Sequence, residues 1–355
     1  MYKKYIRQIL FLKDPETVHN SIIMLGKILS KIKLSRLLRF LYVLKDEKLE
    51  NNVLGIHFSN PIGLSAGFDK NAELIDFIPD LGFGFIEVGS ITANPCKGNP
   101  KPRLFRLVKD KGIIVNYGLA NKGVLAIHKK LIGKKFRIPV GVSIAKTNDA
   151  NIKGKVSIDD YFKSFNIMKD IGNYITINIS CPNVGDGRSF EDPKLLEALL
   201  KKIKNIKRDE KILLKISPDI KIKKLNLILK LSETYNVDGF IISNLTKDRN
   251  GLHKDKNLKY PGGVSGSHVS LKSNNLIKYV YKKTKGKFVI IGVGGVFDGK
   301  DAYEKIRDGA SLVQLITGMI YEGPSIVKKI NDELVRLLER DGLKNIKEAI
   351  GKNIT

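Results

Sequence analysis

The chain of 355 residues has no tryptophan, four methionines and only two cysteines, Cys96 and Cys181. The cysteines lie far apart, so no disulfide framework is expected and a reducing compartment fits better. No apolar run approaches the roughly 20 residues of a membrane-spanning helix. No apolar core followed by a small-residue cleavage site marks a signal peptide, so a cytoplasmic protein is expected. Internal repeats and low-complexity linkers are missing, and no metal site is expected. Acids are scarce, 36 against 63 Lys and Arg, giving a formal charge of +27. Such a surface suits nucleic acid or anionic lipid. The lysines are scattered instead of blocked, however, which favours solvated helix faces, and no nucleic-acid partner is expected. The apolar content of 42% is enough to bury a core in one large domain with an appendage, or in two ordinary domains.

Residues 1–45 stand apart, with ten Lys or Arg against Asp14 and Glu16. Apolar residues recur at helical spacing in two blocks, Tyr5 to Leu12 and Ile22 to Leu41, separated by Asp14-Pro15-Glu16 with proline at a first helical position. Two amphipathic basic helices follow. Composition is divided evenly between packing them on the rest of the chain and laying them on an anionic membrane surface.

From residue 46 the pattern changes. Eight short β-branched runs alternate with helix-length segments: 61–66, 84–89, 139–144, 174–179, 212–217, 238–243, 288–293 and 311–316. This predicts a (β/α)8 barrel over residues 46–355, preceded by a small helical extension over 1–45. A doubly wound open sheet is the rival, but Gly292-Val-Gly294-Gly295 comes late and lacks the third glycine of a dinucleotide fingerprint. The connection from Asn94 to Asn116, rich in Pro, Gly and basic residues, has the length of a functional lid.

A barrel should gather polar strand-end residues at one mouth. Candidates are Ala66, Gly67 and Lys70 after the first strand, Ser90 after the second, Ser143 in the third and Asn178 to Asn183 after the fourth. Lys215 follows in the fifth, Ser243 and Asn244 after the sixth, Gly295 after the seventh, and Thr317 and Gly318 after the eighth. Lys215 interrupts the apolar run Ile212 to Ile216, where an unpaired charge is costly. Either a structural ion pair answers it, or an electron-rich cofactor does. A flavin fits well, because a lysine stabilises the negative charge of its reduced ring. Glycines near the ends of strands seven and eight, with Gly266, can cradle a phosphate through backbone N–H groups, although each alone reads as a turn. Cys181 is held extended by Pro182. It is either an inert buried thiol or a tunable base with a reference pKa of roughly 8.5. The flanking amides Asn178 and Asn183 favour the second reading, since they can bind a planar imide and carboxylate without adding charge.

The segments 60–70 (Asn-Pro-Ile-Gly-Leu-Ser-Ala-Gly-Phe-Asp-Lys), 101–106 (Lys-Pro-Arg-Leu-Phe-Arg), 178–183 (Asn-Ile-Ser-Cys-Pro-Asn), 291–295 and 309–314 resemble dihydroorotate dehydrogenase in order and spacing over nearly the whole chain. Residues 101–106 and the N-terminal helices are similar to its membrane-associated, quinone-using branch. The resemblance implies a flavin mononucleotide (FMN) enzyme that oxidises dihydroorotate to orotate at the cytoplasmic face of a membrane. It implies that Ala66, Gly67, Lys70, Ser90, Ser143, Asn178, Lys215, Ser243, Gly266, Gly295, Thr317 and Gly318 hold FMN. Lys70, Asn116, Asn178, Asn183 and Asn244 would hold substrate. Cys181 would take the C5 proton while hydride leaves C6, and the N-terminal helices would admit quinone. Three positions depart from that branch: Cys181, where serine is usual, Val115, where asparagine is usual, and Leu245, where a polar residue is usual. The alternatives are the same reaction with a soluble acceptor such as fumarate, a tRNA dihydrouridine synthase, and a barrel that binds a phosphorylated ligand without redox chemistry.

Overall fold

The computed structural model describes residues 2–180, 190–206 and 210–354; Cys181 and Asn183 therefore lie outside the described residues. Eight parallel strands close into a barrel: β1 (Ile62–Leu64), β2 (Phe85–Ile91), β3 (Val140–Ile144), β4 (Tyr174–Asn178), β5 (Lys211–Ile216), β6 (Gly239–Ile242), β7 (Val289–Val293) and β8 (Leu312–Leu315). Each falls on one of the eight β-branched runs. Closure is made by β8 against β1, with Val313 opposite Ile62 and Gln314 opposite Gly63. The strands are almost wholly buried because crossover helices cover their outer faces, which is why they read as continuous apolar runs. Those helices include Gly154–Met168, Pro193–Lys204, Ile222–Thr234 and Ser270–Thr284.

Inside the barrel the floor is apolar. Phe58, Phe85, Tyr174, Leu213, Ile241, Ile291 and Leu312 form one cluster, and the hairpin Asn51–Val53 with Ile56–Phe58 plugs the bottom. Glycine makes room for the large rings. A Cβ at Gly63 would lie 2.4 Å from the Phe85 ring, and one at Gly141 would lie 2.1 Å from the Tyr174 ring.

The connection over residues 94–116 is more regular than a lid. Leu104–Leu107 and Gly112–Val115 form a hairpin, and Gly263–Gly266 adds a third antiparallel strand beside Gly112–Val115. Gly266, which alone reads as a turn, thus closes a strand.

Two helices cover the barrel mouth as a hood: α1 (Arg7–Leu12) and α2 (Pro15–Lys31). Asp14 caps α2 by accepting the Thr17 amide at 2.8 Å, with Pro15 in the first turn. The second apolar block does not continue as one helix to Leu41. It breaks at Lys33, whose φ of 59° is left-handed, and resumes as a 3-10 turn Leu34–Leu38 and the short helix Arg39–Tyr42. Gly26 lets α2 approach Leu74 and Phe77, where a Cβ would come within 2.6 Å of Leu74. The hood thus packs on the barrel through Ile22, Ile23 and Leu29 while leaving a second apolar face open.

Candidate active site

A cavity of about 480 Å³ runs from the hood to the C-terminal ends of the barrel strands. Its outer part is apolar, lined by Ile6, Leu10, Phe11, Val18, Ile22 and Leu25 of the hood. Its inner part is polar, lined by Lys70, Ser90, Asn178, Lys215, Asn244 and Thr317. Ala66 and Gly67 also reach it. At Gly67 the backbone takes φ +110°, and a Cβ there would meet only Ile316, at 3.7 Å.

The inner residues are tied to each other across four strands. Ser90 and Ser143 share a hydrogen bond of 2.8 Å between hydroxyls. The Asn178 amide donates to Ser90 Oγ at 2.9 Å, and the Asn244 amide donates to Asn178 Oδ1 at 3.2 Å. Tyr161 fixes the end of β4 by donating to the Asn178 carbonyl at 2.7 Å. Ser143, Ser90, Asn178 and Asn244 thus form one chain from β3 through β2 and β4 to the end of β6. Lys215 donates to Ser65 Oγ at 3.2 Å and is 5% exposed. On the opposite rim Thr317 Oγ1 and Ser265 Oγ lie 2.6 Å apart.

Not every expected residue reaches the cavity wall. Ser143, Ser243, Gly266, Gly295 and Gly318 are not among the residues that line this cavity. A Cβ at Gly318 would sit 2.1 Å from the Val296 carbonyl, so the loops after β7 and β8 can pack this tightly only with glycine there. Asn116 turns away: its side-chain Oδ1 accepts from Asn99 Nδ2 at 2.9 Å, and Val115 and Tyr117 face the cavity instead. Leu245 faces it as well, so two of the three unusual positions line the same cavity. Cys181 and Asn183 lie outside the described residues.

The electrostatics are set by burial. Burial is the main cause that lowers the Lys70 ammonium to about 8, against the pull of Asp69. Its Nζ lies 3.8 Å from the centroid of the Tyr117 ring. His19 of α2 is lowered to about 3 by burial and by Lys70, and so stays neutral on the cavity wall.

Several residues escaped the sequence reading. The arginines at 103 and 106 were recognisable only as part of a motif. Arg103 donates to both carboxylate oxygens of Glu16 on α2, with the closest contact at 2.8 Å. Arg106 donates to the carbonyls of Leu10, Phe11 and Lys13, satisfying the C-terminal end of α1. Both fasten the hood to the barrel. Glu87, wholly buried in β2, was missed although it interrupts an apolar run just as Lys215 does. Among the described residues no group of three or more His, Cys, Asp or Glu is arranged to hold a metal ion.

Chemically, the arrangement suits a flat, hydrogen-bonding cofactor at a barrel mouth, with buried lysines beside it and an apolar approach from outside. A family profile described as dihydroorotate dehydrogenase matches residues 48–338. The dihydroorotate dehydrogenase (quinone) of Trichodesmium erythraeum is 37% identical over 95% of this chain and 94% of its own length. That of Christiangramia forsetii is 41% identical over 94% of this chain and 99% of its own. The crystal structure of DHODH in complex with ferulenol from Eimeria tenella superposes with a TM-score of 0.86 at 31% identity, covering 96% of each chain. On fold, site and sequence together, the chain belongs to the dihydroorotate dehydrogenase family.

Proposed function

We propose that this chain catalyses the FMN-dependent oxidation of dihydroorotate to orotate in pyrimidine biosynthesis and passes the electrons to a membrane quinone. The observation that carries this reading is the single cavity with two characters, polar at the barrel strands and apolar beneath the hood. A charged pyrimidine and a greasy quinone need opposite surroundings, and the cavity offers both beside one cofactor position.

The donor set fits FMN. Lys215, Ser90 and Asn178 present the charge and hydrogen bonds that a flavin ring edge takes, over the open floor at Ala66 and Gly67. The first N–H groups of the helix Thr317–Glu322 have no preceding carbonyl in the helix, which suits a phosphate together with Gly266, Gly295 and Gly318. Ser143 and Ser243 support this shell from behind. Bound FMN supplies the two-electron redox chemistry that side chains lack.

The remaining roles belong to this chain's residues. Lys70 holds the substrate carboxylate, and Asn178, Asn183 and Asn244 orient the ring by hydrogen bonds. Cys181 takes the C5 proton. Val115 and Leu245 make this pocket less polar than the branch usually has, so the substrate's imide and carboxylate rely more heavily on Lys70 and the asparagines.

We further place the hood on the cytoplasmic face of a membrane. Of the nineteen large apolar side chains exposed among the described residues, twelve lie between Tyr5 and Leu41. Lys and Arg surround them in sequence, as in a helix pair that lies in an anionic interface. No helix among the described residues is long and apolar enough to cross a membrane.

Anaerobic mixing with dihydroorotate tests the reaction. The flavin absorbance should bleach, and a quinone should restore it while fumarate does not. Reoxidation by fumarate alone would overturn the acceptor assignment; a flavin that dihydroorotate leaves oxidised would overturn the substrate. Cys181→Ser should keep the flavin but slow the bleaching.

A further inference from the structure

Helix α2 carries two stripes, each with the three- and four-residue spacing of one helix face. Pro15, Val18, Ile22, Leu25 and Leu29 line the active-site cavity. Glu16, Asn20, Ile23 and Lys27, on the neighbouring face, line a second cavity of about 590 Å³. Lys101, Arg103 and Asn121, from the segments flanking the hairpin, line it as well. Asn20, Lys27 and Lys101 are exposed, so this cavity opens to solvent. His19, Phe68, Lys70 and Tyr117, with Ala120, line both cavities and form the partition between them. That partition is one layer of side chains thick. The His19 and Phe68 rings meet edge to face at 4.8 Å, and the Lys70 ammonium lies 3.8 Å from the centroid of Tyr117. The Tyr117 hydroxyl is buried with no hydrogen-bond partner among the described residues. No hydrogen bond of its own therefore resists a swing of that ring, and a carboxylate beside it would give the hydroxyl an acceptor.

The rim of the second cavity is positive. Glu16 is shared by Arg103 at 2.8 Å and Lys101 at 3.5 Å. Glu73 is shared by Lys27, Lys122 and Lys130 at 3.2, 3.3 and 4.0 Å. Five cations thus surround two acids. Asp69, the other acid on this cavity, already accepts the amides of Glu73 and Leu74 at 2.8 and 2.7 Å. A cleft with an excess of one sign concentrates small ions of the other. The active-site cavity offers an anion no such approach. Its outer part is lined by Ile6, Leu10, Phe11 and Val18, and passage there would strip a carboxylate of water without replacing it.

We propose that the second cavity is the entrance for the dihydroorotate anion and the exit for orotate, so that substrate and quinone reach the cofactor position along two different faces of α2. The inference rests on the substrate reading above, in which Lys70 holds the carboxylate. Lys70 stands in the partition and is reachable from both sides, so the carboxylate meets its final partner as it leaves the entrance. Tyr117 is the moving part, because its ring carries the Lys70 contact and its hydroxyl is bound to nothing else among the described residues. Each reactant then crosses a lining of its own polarity, and a quinone beneath the hood does not block the path of the anion.

The test is the rate at which orotate enters and leaves the FMN-loaded protein, read from the flavin spectrum by rapid mixing. Asn20→Trp puts a large ring into the second cavity and leaves the partition untouched. It should slow association and dissociation alike by about tenfold and hold the orotate Kd within about twofold, because a blocked path raises the barrier without changing either end state. Asn20→Ala should behave as the parent. Reoxidation of the Trp variant by a short-chain quinone should keep the parent rate, which shows that the hood is intact. Lys27→Gln combined with Lys101→Gln leaves the path open. It should slow association by about threefold at low salt, and the difference should vanish at high salt. Parent rates in a folded Trp variant overturn the entrance. A change in Kd carried by one rate alone also overturns it, since the site and not the path would then have changed. If the Trp variant does not fold, an unaltered salt dependence in the lysine double variant overturns the proposal. A parent protein whose flavin spectrum ignores orotate overturns the substrate reading itself, a different failure from any of these.

Discussion

Lys70 is the residue whose chemistry is most exposed to pH. In the role proposed for it, it needs its charge to hold the substrate carboxylate, yet burial lowers it to about 8. Below that value the free protein presents an ammonium. As pH rises through it, the ammonium is lost and the anionic substrate loses its partner. The value of kcat/KM for dihydroorotate should therefore fall on the alkaline side of about pH 8, approaching tenfold per pH unit for a single essential proton. Lys70→Arg, which stays protonated in this range, should remove that limb at some cost in KM. Steady-state kinetics from pH 6 to 10, with orotate affinity read from the flavin spectrum, would decide the matter. An identical alkaline limb in the arginine variant would assign the proton elsewhere. Among single residues, legibility followed cost. Lys215 could be read because a charge in an apolar run demands an explanation. Glu87 carried the same signal, but it lies below the strand ends where ligand-binding residues are sought. Asn116 looked like a substrate residue by position, yet the hairpin turns it toward Asn99 and brings Val115 to the cavity.

At the scale of elements, the eight strands were legible because parallel strands buried on both faces must be apolar throughout. The hairpin over residues 104–115 was not, because its strands carry Arg106 and flank the charged turn Asp110-Lys111, and its pairing with Gly263–Gly266 spans about 150 residues of sequence. The break at Lys33 was hidden for a similar reason: a left-handed residue inside an apolar period depends on what the hood packs against. The hood's attachment rests on the Glu16–Arg103 pair, in which both side chains are nearly buried. Burial raises the Glu16 carboxyl, but the hydrogen bonds and charge of Arg103, with Lys101, more than offset this and leave it below its ordinary range. Removing one partner of such a pair costs about 3 kcal/mol or more. Glu16→Ala should therefore speed amide exchange across α2 by about 100-fold, since each 1.4 kcal/mol is tenfold. Exchange in β3 and β4 should stay unchanged. Acid should loosen the same contact. The detached helix takes up a proton on His19 near 6.5 and the packed one only at about 3, so attachment weakens as pH falls between those values. Equal exchange rates in parent and variant would show that apolar packing alone holds the hood.

For the whole molecule, the arrangement separates two substrates by polarity and joins them through one cavity. That logic predicts what a change on the outside should do to the chemistry inside. Leu12 is 89% exposed at the end of α1 and Phe40 is 85% exposed on the short helix Arg39–Tyr42 that follows the hood, both away from the cavity wall. Side chains this exposed contribute little to folding. Replacing both with glutamate should leave the fold, the flavin and its bleaching by dihydroorotate as they were. It should also place two anions on the face assigned to the membrane. Binding to vesicles containing phosphatidylserine should fall, because apolar insertion is lost and the headgroups now repel the hood. Parent binding should weaken with salt, as attraction between lysines and headgroups is screened over about 10 Å at 0.1 M. Turnover with a long-chain quinone dissolved in those vesicles should drop in proportion to binding, while turnover with a short-chain quinone in water should not change. The two quinones separate docking from electron transfer. Equal loss with both would mean that the substitutions disturb the cavity, and no loss with either would remove the membrane from the function of the hood.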